Sequence, residues 1–153
     1  MSIGRAAGER VGPGAWGSAT VGAVASEFLA HDVEQNKEIV RKMLDELWNQ
    51  GDADAVARYF TGRARGQTEN LVRTLRTAFP DLRVQVDDLV AENDRVVARL
   101  TFRGTHRGPF RGVPATSRPV EFTAIRVYRV GGGTIDRTWA VHDAGDILDQ
   151  LSS

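Results

Sequence analysis

The side chains of this chain that can carry proton chemistry are histidines and carboxylates, because its 153 residues include no cysteine. Disulfides, thiolate nucleophiles and Cys-based zinc or iron–sulfur sites are thereby excluded. The three histidines, His31, His106 and His142, show no H-x-x-x-H or H-x-x-E-H spacing, so we expect no metal site. Asp143 and His106 are the first candidates for acid/base and hydrogen-bonding roles.

Two interpretations of Asp143 are open. Asp143 stands between a predicted strand and a predicted last helix. A carboxyl group whose pKa is raised by burial can remove a proton and later return it. Alternatively, Asp143 is the N-cap of that helix, a role worth about 0.5–2 kcal/mol. Capping stabilises the anion, which opposes a raised pKa.

Two interpretations of His106 are open as well. His106 lies at the end of a predicted strand, where a neutral imidazole can donate a hydrogen bond to a carbonyl oxygen as negative charge develops there. The alternative is a structural hydrogen bond that anchors the loop between Gly108 and Pro119. His142 is predicted to be a surface or dimer-interface residue, because simple alternation along its strand turns it away from Val141 and Asp143.

The periodicity of apolar residues predicts helices first and strands afterwards. Apolar residues recur every three or four positions in a first helix that Gly51 ends, namely Ile39, Val40, Met43, Leu44, Leu47 and Trp48. A short second helix follows Asp52, and a third runs from about Gln67 to Ala78. The period then changes to two, which predicts four strands with a hairpin turn at Gly131–Gly133. A last helix spans about Ala144 to Leu151.

This order of elements predicts an α+β fold, a curved antiparallel sheet wrapped around the N-terminal helices to form a cone with an internal pocket. Residues 34–153 form this domain. Residues 1–33 are rich in glycine and have no periodicity, so they are predicted to be a flexible extension.

Charge and hydropathy limit the partners. The 20 basic and 20 acidic residues balance, which argues against nucleic acid. No apolar run approaches the roughly 20 residues that a membrane span needs. We expect a cytoplasmic protein that binds a small molecule.

Four blocks of the sequence resemble the SnoaL-like polyketide cyclase family, which has a nuclear-transport-factor-2-like fold. The blocks cover residues 34–151 in family order and read NKEIVRKMLDELWNQGD, AFPDLRV, GTHRGPFRGVPATSRPVEF and IDRTWAVHDAGDILDQL. The resemblance implies intramolecular aldol ring closure on a polyketide-like molecule without cofactor or metal, and a homodimer formed through the outer sheet face.

The resemblance also implies roles for particular residues. Asp143 matches the family's W-x-x-x-D pattern as the acid/base, and His106 matches its GTH block as the carbonyl donor. Aromatic residues are the expected substrate-binding walls, namely Trp139, Phe122, Tyr59 and Phe110.

The sequence departs from the family pattern at two places. The segment after Phe60 is short and lacks the usual "PDFVDH" type of sequence, and Ala140 stands where some relatives carry an acidic residue. Two other functions are therefore open: another cofactor-free acid/base reaction such as epoxide opening, isomerisation or hydroxylation, or a non-catalytic, dimeric small-molecule-binding module.

Overall fold

The computed structural model describes residues 32–142 and 144–153. Residues 32 and 33, which the sequence assigns to the extension, already belong to the first helix. The rest of the predicted extension and Asp143 lie outside the described residues.

In the described part of the chain, four helices pack against one face of the sheet. Helix α1 covers residues 32–44 and continues into a single π turn, Asp45–Asn49. Helices α2 (Ala55–Tyr59), α3 (Gly62–Ala78) and α4 (Ala144–Ser152) follow along the chain. Helix α3 begins five residues before the predicted Gln67, because its first buried positions are the small Ala64 and Thr68 rather than large apolar residues.

The sheet has four antiparallel strands in the order β1-β2-β3-β4. They are β1 (Arg83–Glu92), β2 (Arg95–Thr105), β3 (Pro119–Gly131) and β4 (Thr134–His142). The predicted α+β class, the four antiparallel strands and the hairpin turn at Gly131–Gly133 are confirmed. The inner face of the sheet packs on the helices through alternate residues of the two central strands, among them Val96, Ala98, Leu100, Phe102, Phe122, Ala124 and Tyr128.

A β-bulge in β4 decides which of its residues face inward. Val130 pairs with Ile135 and Arg129 pairs with Arg137, so Asp136 is one residue too many on β4. Asp136 forms an ion pair with Arg129, and this hydrogen bond holds the pKa of the carboxyl below its ordinary value. Because one extra residue reverses the alternation, every residue of β4 after the bulge faces the side opposite to the one predicted.

Two side-chain amides take the place of missing strand partners. The Asn49 amide, at the end of the π turn, accepts from Val84 N–H at 2.8 Å and donates to its carbonyl at 3.1 Å on edge strand β1. The Gln150 amide of α4 accepts from Glu121 N–H at 2.9 Å and donates to its carbonyl at 2.7 Å. Since β4 ends opposite Ala124, Gln150 satisfies a part of β3 that β4 does not reach.

A single guanidinium joins α1, α3 and β1. The half-buried Arg76 of α3 lies 5.5 Å from the centre of the Trp48 ring. It donates hydrogen bonds to four backbone carbonyls, those of Leu47, Trp48, Pro80 and Leu82. Burial lowers its pKa from the ordinary value, and nearby Asp81 opposes that shift. Arginine stays charged in proteins, so Arg76 acts as a fixed cation between the end of α1 and the segment that joins α3 to β1.

Candidate functional site

An apolar cavity lies between the inner face of the sheet, helices α3 and α4 and the loop that joins β2 to β3. Its volume is about 80 Å³. Of the residues that the structure describes, eleven line it, namely Leu71, Thr74, Leu75, Phe102, Phe110, Arg111, Phe122, Ala124, Arg126, His142 and Ile147. Ordinary ligand pockets measure about 300–1,000 Å³, so this cavity has room for only part of a polycyclic ligand.

Aromatic rings form the apolar wall of the cavity. Phe102 and Phe122 are stacked with ring centres 5.1 Å apart and planes at 12°. Phe79 lies against them, 6.3 Å from Phe122 and 5.4 Å from Phe110. All four rings are buried, and Phe102, Phe110 and Phe122 line the cavity, so a flat apolar ligand would meet a preformed aromatic surface.

The polar groups of the lining are two arginines, one histidine and a threonine. Arg126 of β3 is half-buried, with its guanidinium 5.9 Å from the centre of the buried Tyr128 ring and Nη2 3.4 Å from Thr138 Oγ1. Arg111 is exposed and lies 5.7 Å from the centre of the Phe110 ring. His142, at the end of β4, is exposed as well.

A tight turn places Phe110 and Arg111 at the cavity. Phe110 and Val113 exchange backbone hydrogen bonds of 2.9 and 2.8 Å. The two residues between them have positive φ, 47° at Arg111 and 83° at Gly112, as in a type I′ turn. Arginine rarely adopts this conformation, which costs about 1–3 kcal/mol, so the turn carries strain beside the cavity.

The C-terminal end of α3 holds the base of this loop. The Ala78 carbonyl accepts from the N–H groups of Arg107 and Gly108 at 2.9 and 3.1 Å. A Cβ atom at Gly108 would lie 2.0 Å from the Thr77 carbonyl oxygen. Only glycine therefore allows this close contact between loop and helix.

His106 lies behind the cavity wall and does not line the cavity. Its side chain is fully buried, and its ring centre is 5.7 Å from that of Phe79. Nδ1 accepts a hydrogen bond from the Thr116 N–H at 3.2 Å and lies 2.9 Å from the Thr116 hydroxyl. These bonds, with those from its backbone to Ser117 and Arg118, anchor the loop. Nε2 is buried and has no partner within residues 32–142 and 144–153.

The structure distributes the other predicted site residues unevenly. Phe110 and Phe122 line the cavity. Tyr59 does not, and burial together with a hydrogen bond to Glu46 raises the pKa of its hydroxyl. Asp143, outside the described residues, follows the cavity residue His142 directly in the chain.

Trp139 lies on the face opposite to the one expected, and His142, which is exposed and turned away from Val141 as predicted, lies on the inner face. Trp139 pairs with Val127 on the outer face of the sheet, is 43% exposed and packs with Arg95, 5.8 Å from the ring centre. His142 pairs with Ala124, a residue of the inner face, and contributes to the cavity. The cause is the bulge at Asp136, which period-two alternation in the sequence does not reveal.

Sequence reasoning missed all three cationic or titratable residues of the lining, Arg111, Arg126 and His142. The alternation of β3 itself indicates that Arg126 shares a face with Phe122, Ala124 and Tyr128. An arginine in register with buried apolar residues is the signal that would have identified it.

Other surfaces offer fewer features of a ligand site. A larger hollow of about 910 Å³ lies between α1 and the two hairpin turns, and polar groups and glycines form much of its wall. Within the described ranges, no group of three or more His, Asp or Glu residues is placed to hold a metal ion. No helix in that part of the chain is long and apolar enough to cross a membrane.

Comparison with known proteins identifies a family. The sequence profile of the SnoaL-like polyketide cyclase family matches residues 38–151. A comparison with curated protein sequences finds no match to the chain.

Solved structures of this fold superpose well on the chain. AclR from Streptomyces galilaeus, a candidate hydroxylase, is 25% identical with a TM-score of 0.70, over 78% of this chain and 82% of that one. IdmH from Streptomyces antibioticus, a candidate polyketide cyclase, is 27% identical with a TM-score of 0.68, over 78% of this chain and 99% of that one. A candidate polyketide cyclase from Acidithiobacillus ferrooxidans is 27% identical with a TM-score of 0.68, over 76% of this chain and 94% of that one.

Proposed function

Because this chain belongs to the SnoaL-like polyketide cyclase family, we propose that it closes a ring in a polyketide-like molecule by an intramolecular aldol reaction, without metal or cofactor. The observation that carries the proposal is the aromatic cavity, whose lining includes His142, the residue immediately before Asp143. The family's acid/base position thus adjoins, along the chain, a pocket with a wall of stacked aromatic rings.

The proposed reaction moves one proton twice and forms one bond. The Asp143 carboxylate removes a proton from the carbon next to a carbonyl group, which leaves an enolate. The enolate carbon attacks a second carbonyl carbon of the same molecule, and the resulting alkoxide takes the proton back from Asp143. The His142 imidazole is the proposed hydrogen-bond donor to one of these oxygens, since it is the titratable cavity residue next to the carboxyl in the chain.

We assign His106 a positioning role, because its Nδ1 holds the loop that carries Phe110 and Arg111. His106→Asn keeps an acceptor near the position of Nδ1 and removes Nε2. The positioning role predicts that kcat is retained within a few fold and that any loss falls on KM. A folded His106→Asn protein that has lost kcat would instead assign Nε2 to the reaction.

The acid/base role is tested with Asp143→Asn and a matched control, Asp149→Asn, an exposed carboxylate on α4. Turnover of a linear polyketide ester with two reactive carbonyls is followed by chromatography and mass spectrometry. The aldol product has the mass of the substrate and a shorter retention time on a reversed-phase column. We expect at least a hundredfold loss of rate in Asp143→Asn and none in the control. Equal rates in the wild type and Asp143→Asn would refute the role.

Hydroxylation is the second candidate, supported by the similarity to AclR, a candidate hydroxylase. The same experiment, run in air with an added two-electron reductant, separates the two reactions. A hydroxylated product gains one oxygen atom from dioxygen, and the reductant supplies the two electrons that convert the second oxygen atom to water. Binding of the ester without any product would favour a non-catalytic binding module.

We also propose that the protein is a homodimer formed through the outer sheet face. Four large apolar residues are exposed among those described, namely Val90 (64%), Ile125 (49%), Trp139 (43%) and Val141 (73%). Strand register puts all four on the outer face, as expected of a contact surface. Sedimentation of the wild type should give twice the chain mass and Val141→Lys should weaken association. A monomeric wild type would refute the proposal.

A further inference from the structure

The described part of the cavity lining carries an excess of positive charge. Among the eleven described residues that line it are two arginines, Arg111 and Arg126, and none of the eleven is an aspartate or glutamate. In the part of the chain that the structure describes, neither arginine has a carboxylate within ion-pair distance. The net charge of the chain is zero, so this imbalance is local to the cavity.

Arg126 is the informative member of the set. It is half-buried on the inner face of the sheet, beside the completely buried Tyr128. Removing a guanidinium from water costs free energy unless a counter-charge compensates. Arg129, which is also partly buried on β3, differs from Arg126 because it forms an ion pair with Asp136.

The position best placed to neutralise Arg126 holds an alanine. Ala140 is the cross-strand partner of Arg126, so the two Cβ atoms lie on the same face, about 4.5–5.5 Å apart. A carboxylate at position 140 would reach the guanidinium. The alanine provides no counter-charge at this position.

We propose that the substrate of this cavity carries a carboxylate, which Arg126 and Arg111 bind at the mouth while an apolar ring enters against Phe102 and Phe122. Guanidinium groups bind carboxylates through paired, charge-assisted hydrogen bonds. A cavity of about 80 Å³ admits one ring, so the rest of a larger molecule must lie outside the cavity, beside these two arginines. This inference rests on the proposed function, for which it specifies a free acid rather than a neutral ester as the preferred substrate.

The test compares two probes of the same shape, 2-naphthoate and its methyl ester, by fluorescence titration of the full chain. We expect the acid to bind at least tenfold more tightly than the ester to the wild type. Raising the salt concentration should weaken binding of the acid only, because screening acts on charge pairs.

Three variants assign the preference to Arg126. Arg126→Gln removes the charge, and Ala140→Glu supplies an internal carboxylate from an exposed position that does not disturb the core. Both should abolish the preference for the acid, and Ala140→Glu, which lies outside the cavity lining, should leave binding of the ester within about twofold. Ala140→Gln, the neutral control of the same size, should retain the preference.

Equal binding of the two probes to the wild type, or no binding of either, would overturn the inference. So would a preference for the acid that survives in both Arg126→Gln and Ala140→Glu. None of these results would bear on ring closure, which the turnover of the polyketide ester by Asp143→Asn tests separately.

Discussion

Arg76→Gln should be one of the most destabilising polar substitutions in the protein. The wild-type guanidinium satisfies four backbone carbonyls at the ends of α1 and α3 and at the start of β1. Hydrogen bonds that involve a charged group contribute about 1.5–3 kcal/mol each, but these four share one side chain and do not add. Water can reach part of this half-buried site, so we expect a loss of about 2–4 kcal/mol, or roughly 10 °C in Tm.

The assay is urea unfolding followed by tryptophan fluorescence and circular dichroism, and the matched control is Arg73→Gln. Arg73 lies on the same helix but is exposed, and it donates a hydrogen bond to the Asn70 side chain at 3.3 Å. Arg76→Lys should fall between wild type and Arg76→Gln, because an ammonium group has three donors and no planar fork. If Arg76→Gln and Arg73→Gln differ by less than about 0.5 kcal/mol, the carbonyl cluster does not stabilise the fold as argued.

Three further predictions concern the loop, the turn and acid stability. Gly108→Ala should destabilise the protein by more than about 2 kcal/mol in the same urea assay and weaken binding of 2-naphthoate, because the new Cβ would overlap a backbone oxygen. The control is Gly66→Ala on α3, where the space around the glycine is open. This substitution should be neutral or stabilise the protein by up to about 1 kcal/mol. Arg111→Gly should relieve the strained turn and raise stability by up to about 1 kcal/mol, yet bind 2-naphthoate less tightly; a loss of stability would contradict the strain. Burial raises the pKa of Asp81, but hydrogen bonds, chiefly two from Thr105, outweigh burial and lower the pKa overall. The stability that these hydrogen bonds provide is therefore present above the unfolded-state pKa of about 3.9 and is lost as the pH falls through the lower folded-state pKa. Unfolding free energies measured from about pH 5 to pH 2.5 should therefore fall less steeply in Asp81→Asn than in wild type, and parallel curves would refute this.

Much of the fold could be predicted from the sequence, because burial imposes its period on the residues. The alternation Val96, Ala98, Leu100, Phe102 defines an inner face that the structure confirms. The start of α3 was missed because Ala64 and Thr68 are buried by their small size, which an apolar period does not register.

The cavity was harder to predict, because two local irregularities determine its wall. The extra residue Asp136 exchanges the faces of Trp139 and His142. The turn at Arg111 depends on backbone angles that a glycine-containing loop only suggests. Phe110 and Phe122 could be anticipated as cavity residues, whereas the inward position of His142 could be recognised only after the strand register was known.

The two amides that complete the sheet make it sensitive to chemical ageing. Hydrolysis of the Asn49 amide would leave a carboxylate, which has no N–H to donate and would repel the Val84 carbonyl oxygen that Asn49 now binds. Hydrolysis at Gln150 would do the same to Glu121. Each change would leave backbone groups of β1 or β3 without their hydrogen-bond partner. A strand with unpaired backbone groups is a template for pairing with another chain. Long storage at warm, alkaline pH is therefore expected to produce aggregates from protein that is still folded, and buffers that slow deamidation should preserve this sheet better than agents that strengthen its core.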